Sequence, residues 1–108
     1  MAQKIIYGTV NDDGTKQGGE GFTVELVEAG LYAITFTEAF AFATPPCVVA
    51  TLKDWGADNQ IVVKDINPDK FQVTIWDLEV KQPAGATVAK LEVSKEKSAF
   101  NFIAIGEG

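Results

Sequence analysis

The chain reads as a single all-β domain, an antiparallel β-sandwich of six or seven strands. Three observations predict this. Apolar residues recur with period two in run after run, no stretch shows the longer period of an amphipathic helix, and turn-forming clusters separate the runs at short intervals. Length sets the scale: 108 residues make one domain, residues 1–108, able to bury roughly 65% of its unfolded surface.

"KIIYGTV" opens the chain as a strand. The next stretch, "NDDGTKQGGEG" (residues 11–21), is rich in glycine and reads as a mobile surface loop. "GFTVELV" then places Phe22, Val24 and Leu26 on one face, and "LYAITF" does the same with Tyr32, Ile34 and Phe36. Glu28, Ala29 and Gly30 between them are a tight connection, so the two runs form a hairpin. Pro45 and Pro46 oppose both helix and ladder pairing, so the next strand starts after them, with Val48, Ala50 and Leu52 inward. "QIVVKD" aligns Ile61 with Val63. "NPD" at 67–69 is a turn, and "KFQVTIW" places Phe71, Val73 and Ile75 on one face. "ATVAKLEVSKEKS" admits a strand or a short helix, and the alternation of Ala89, Leu91 and Val93 favours the strand. "AFNFIAIG" closes the chain with Phe100 and Phe102 on one face and Ile103 and Ile105 making it nearly apolar on both. That is the pattern of a central strand covered on two sides.

Composition narrows the function. The chain is 46% apolar and 22% charged, with net charge −6, and all nine basic residues are lysines. An acidic surface without arginine disfavours nucleic-acid binding and excludes bidentate arginine clamps. The lone Cys47 forms no internal disulfide and, within an apolar run, is expected to be a buried small side chain. No secretory signal peptide and no apolar stretch of membrane-spanning length are visible, so the reading is synthesis in the cytoplasm without membrane insertion. Without histidine, the usual nucleophile–base pairs are missing, and fifteen acids on a small domain read as a solvated face rather than a catalytic pair; the chain is expected not to be an enzyme. Asp65, Asn67 and Asp69 open like a calcium loop, but Lys70 and Trp76 stand where that motif needs glycine and glutamate. These residues read as turn formers, and no metal or cofactor is called for.

The two tryptophans depart from the inward pattern. Trp55 sits among polar turn residues, flanked by Asp54 and Gly56, with Asp58 and Asn59 close behind. Trp76 lies opposite the Phe71–Val73–Ile75 face, next to Asp77. An exposed indole beside a carboxylate can hold a sugar, the ring stacking on C–H groups while the acid accepts from hydroxyls. The competing reading is that both rings cap the sandwich or lie between subunits. Outward apolar residues at Val27, Val49, Val62, Ile103 and Ile105 also ask for cover, which subunit packing would supply.

Over roughly residues 20–106 the chain resembles the H-type lectin domain. The residues that carry the likeness are Phe36, Phe40, Pro45, Pro46 and Val48; Phe71, Val73, Trp76 and Asp77; and Phe102, Ala104 and Gly106. The leading segment also looks like modules of bacterial and phage tail-fibre proteins. The resemblance implies a six-stranded antiparallel sandwich, assembly as a homotrimer or a dimer of trimers, and glycan binding near subunit boundaries, with Trp76 a contact. A structural trimerisation or tip domain of a virion or released particle, without a small ligand, is the alternative. The family's arginine and histidine contacts and the disulfide of its animal members have no counterpart here.

Overall fold

The structure is a computed structural model that describes the backbone of residues 3–53, 59–81, 85 and 90–108; the side chains of 79–81 and 90–92 lie outside the description. Nine strands are described: β1 (Gln3–Val10), β2 (Lys16–Gly19), β3 (Phe22–Glu28), β4 (Leu31–Phe36), β5 (Cys47–Leu52), β6 (Asn59–Lys64), β7 (Lys70–Lys81), β8 (Lys90–Lys95) and β9 (Phe100–Glu107). They form two antiparallel sheets. One has the order β2-β1-β9-β5; the other runs β3-β4-β7-β6, with β8 also paired to β7. A single 3₁₀ turn, Glu38–Phe40, is the only helical element among the described residues.

The sheets face each other across one core, built by the inward residues of each strand. Ile6, Val10, Phe100, Phe102 and Ala104 come from the four-stranded sheet; Phe22, Tyr32, Ile34, Phe36, Phe71, Val73 and Ile75 come from the other. Edge-to-face ring pairs join the layers, Phe22 with Phe102 at 4.9 Å and Phe71 with Phe102 at 5.1 Å. Gly8 makes room for this cluster, since a Cβ there would sit 2.3 Å from the Phe22 ring. All six aromatic residues expected inside, Phe22, Tyr32, Phe36, Phe71, Phe100 and Phe102, are buried. The β3–β4 hairpin forms as expected, with Gly30 at φ 80°.

Four expectations are corrected. Nine strands are described rather than six or seven, the unexpected one being β2 in the glycine-rich stretch; the strand favoured within "ATVAKLEVSKEKS" is present as β8. That stretch is not loop throughout: the Asp13 carboxylate accepts from Thr15 N at 3.0 Å and Thr15 Oγ1 at 2.6 Å, closing a turn that returns the chain alongside β1 as β2. Cys47 is exposed rather than buried, since the phase that sends Val48, Ala50 and Leu52 inward sends Cys47 out. Finally, β9 is central in its sheet, between β1 and β5, but covered on one side only: Ile103 and Ile105 are exposed.

Strand β7 shapes the molecule. Its first half pairs with β4 and its second half with β8 along the same edge, so the hairpin of β7 and β8 runs past the end of the sandwich. The radius of gyration is 16.3 Å and the longest dimension 62 Å. A compact chain of about 100 residues would have a radius near 13 Å.

Candidate functional site

The outer faces of the two sheets differ in chemistry, and the difference follows from strand phase. On the five-stranded sheet, outward positions align across strands as Thr23–Thr35–Lys70, then Glu25–Ala33–Gln72–Lys64, then Leu31–Thr74–Val62, then Gln60–Trp76–Lys95. The small Ala33 leaves a dent in this face. Together with the turn after β6 it makes a recess of about 270 Å³, lined by Glu25, Thr35, Asp65, Asn67, Lys70 and Gln72 as well as Ala33 and Phe71. Asp65 holds the turn at φ 53°, a left-handed conformation that aspartate tolerates. Asn67 fixes it further, its Nδ2 donating to Asp65 O at 3.0 Å and its backbone N to Lys70 O at 2.8 Å. The calcium-like run thus does turn work at Asn67, as its broken motif suggested. Among the described residues, no group of three or more carboxylate, thiol or imidazole side chains is placed to hold a metal ion.

Four positions along β7 from Gln72, on the same face, stands Trp76. It is half-buried, its Nε1 donates to Thr74 Oγ1 at 3.1 Å, and Lys95 Nζ lies 5.5 Å from the ring centroid. That ammonium also pairs with Glu28 Oε1 at 2.6 Å, and the pairing holds the Glu28 carboxyl below its ordinary value. Asp77 follows Trp76 in an unbroken ladder and so points to the opposite face. There it meets Asn59, whose amide nitrogen, in the orientation that satisfies it, donates to Asp77 Oδ1 at 3.2 Å and Glu96 Oε2 at 3.1 Å. Of the expected sugar contacts, then, the structure joins Asn59 to Asp77 and separates both from Trp76. Asp54, Trp55 and Asp58 lie outside the described residues.

The four-stranded sheet presents a different surface. Its outward rows are Ile5–Ile105–Cys47, then Tyr7–Ile103–Val49, then Thr9–Asn101–Thr51. The first two rows carry no charge at all. Ile5 is 57% exposed, Tyr7 65%, Val49 60%, Ile103 48% and Ile105 37%. In the third row Thr9 Oγ1 and Asn101 Oδ1 hydrogen-bond at 2.8 Å. Beside this face an open groove of about 460 Å³ runs along the β1–β2 edge, shared by Ile5 and Tyr7 with Glu20 and the half-exposed Phe40. Outward Val49, Ile103 and Ile105 were legible in the sequence; Ile5 and Tyr7 were not.

The chain matches no protein-family model, no curated protein and no solved structure in the comparisons made. Among the described residues, no helix is long and apolar enough to cross a membrane.

Proposed function

We propose that the chain is a non-enzymatic binding module, H-type lectin-like in fold, that holds a hydroxyl-rich ligand, a glycan, on the outer face of its five-stranded sheet. The observation that carries this reading is the recess around Ala33 on the same face as Trp76. A sugar hydroxyl both donates and accepts, so its site needs both partners close together. The recess supplies acceptors in Glu25 and Asp65, a donor in Lys70, and groups that do both in Thr35, Asn67 and Gln72. Four residues of strand separate Gln72 from Trp76, about 13 Å. A short oligosaccharide spans that distance, one residue hydrogen-bonded in the recess and another against the indole. Outward Leu31 and Val62 between the two ends suit the C–H edges of the rings. This moves the polar half of the sequence-derived site from Asp77 and Asn59 to the recess and keeps Trp76.

A glycan array with the full chain tests the reading, followed by Thr35→Ala, Gln72→Ala and Trp76→Ala. Each variant is expected to weaken whatever sugar binds, the first two by removing hydrogen bonds and the third by removing the stacking ring. Undiminished binding in all three sinks this site. If Trp55→Ala alone abolishes binding, the ligand belongs to the segment around Trp55 instead. A second reading, a structural tip or assembly domain without a small ligand, draws on the apolar face of the other sheet; a blank array leaves that reading standing.

A further inference from the structure

We infer that the outer face of the four-stranded sheet docks a second copy of this chain, sheet face to sheet face about a twofold axis. The inference does not depend on glycan binding, which uses the opposite sheet. It starts from the exposure of Ile5, Tyr7, Val49, Ile103 and Ile105, contiguous across β1, β9 and β5. By their exposed fractions these five leave on the order of 500 Å² of apolar surface in water, at the upper end of what a single chain exposes in one patch. The neutral third row and the adjoining groove extend the face toward the roughly 800 Å² per partner of a standard interface.

Three features make the occupant a copy of the chain. First, the two apolar rows carry neither charge nor a deep pocket, with Glu20 and Glu107 only at their margin, so the face recognises by shape and apolar packing, and a body of net charge −6 meets its like with least repulsion through this side. Second, two sheets of the same twist stack readily at about −30°, and a twofold axis lets every apolar residue serve both partners. Third, the middle of β9, Phe102–Ile105, is apolar on both faces, the pattern of a strand with cover on each side, yet the chain covers only one. A second copy completes that cover. Isologous pairing of this kind gives even copy numbers, which the dimer of trimers satisfies and a lone trimer does not.

The test is sedimentation velocity on the full chain from nanomolar to high micromolar concentration. A dimer or a larger even assembly is expected, strengthened by added salt because the partners share a negative charge. Tyr7→Lys with Ile103→Lys should weaken self-association by more than about a hundredfold, since an unpaired ammonium opposes burial. Val27→Lys on the other sheet should leave it intact. Should the double variant not fold, alkylation of Cys47 in the unaltered chain reads the same contact, because Cys47 stands in the first apolar row. Its labelling rate should fall as protein concentration rises. A monomer at every concentration would assign the face to some other partner and overturn the proposal. So would an odd copy number, a folded double variant that still assembles, or Cys47 labelling independent of concentration.

Discussion

The Tyr32 hydroxyl ties two distant segments to the core, and its removal tests how this sandwich is held together. The side chain is fully buried, its ring edge-on to Phe100 at 5.1 Å. The hydroxyl donates to Asp12 O at 2.6 Å, anchoring the turn between β1 and β2, and accepts from Ser98 N at 3.3 Å, anchoring the approach to β9. In Tyr32→Phe the ring and its packing stay. Ser98 is buried, so its N–H is left unsatisfied at about 1–3 kcal/mol, while water replaces the hydroxyl at the carbonyl of exposed Asp12 at little penalty. The net loss is about 2 kcal/mol. For a domain of about 100 residues that lowers Tm by about 8–16 °C. Urea unfolding followed by circular dichroism should show a lower midpoint with an unchanged m-value. Burial also raises the phenol above its ordinary 10.0. The unfolded chain therefore ionises first, and the stability from the neutral phenol is present below pH 10 and lost as pH climbs from there through the folded value. Tyr32→Phe should remove that alkaline fall. A loss under about 0.5 kcal/mol, or an alkaline limb that survives the substitution, would refute this accounting.

Gly30→Ala should be more damaging than its exchange of one hydrogen for a methyl suggests. The residue has φ 80°, and a Cβ would lie 2.7 Å from Glu96 N and 2.9 Å from Ile75 O, where β4, β7 and β8 meet. Strain of about 1–3 kcal/mol is expected, read as a drop in thermal midpoint. Acidification should loosen the same junction. The Glu28 carboxyl is depressed by its hydrogen bond and charge pairing with Lys95, so its contribution is present above its ordinary 4.5 and fades as pH falls through the lower folded value. In a Trp55→Phe background, Trp76 fluorescence should report that change, and Lys95→Met should abolish it. The Asp13 carboxyl, depressed chiefly by the Thr15 hydroxyl and then by the Thr15 backbone N–H, predicts a parallel acid-side loosening of the β1–β2 turn. Protection of Thr15 N against hydrogen exchange, taken relative to the intrinsic rate at each pH, should fall as pH drops from 3.8 through the lower folded value and be lost at neutral pH in Asp13→Ala.

Alternation alone sufficed for most of the layers. Phe22, Tyr32, Phe71 and Phe102 sit inward because their neighbours alternate with them, and that is visible one residue at a time. β2 was invisible because "KQGG" carries no apolar residue to set a phase; its pairing partner, Gly8↔Gly19 among others, makes it a strand. Ile5 and Tyr7 were missed for the opposite reason. "KIIY" is apolar on both faces, and only the pairing of Ile6 with Ala104 decides which side is core. Cys47 could have been placed outside by counting back from Val48. Trp76 and Asp77 looked like one site because they are adjacent in sequence, and the pleat sends them apart. The recess depends on Glu25, Ala33 and Gln72 lining up across three strands, a register that no short stretch of sequence contains.

The central claim is a division of labour between the two outer faces, one closed against a second copy and one open to ligand. Hydroxyl-radical footprinting of the unaltered chain across a concentration series measures both faces at once. Labelling of Tyr7, Val49 and Ile103 is predicted to fall as concentration rises, while Val27, Val62 and Trp76 keep their labelling unchanged. Constant labelling of the first set, or protection moving instead to the second, would contradict the account.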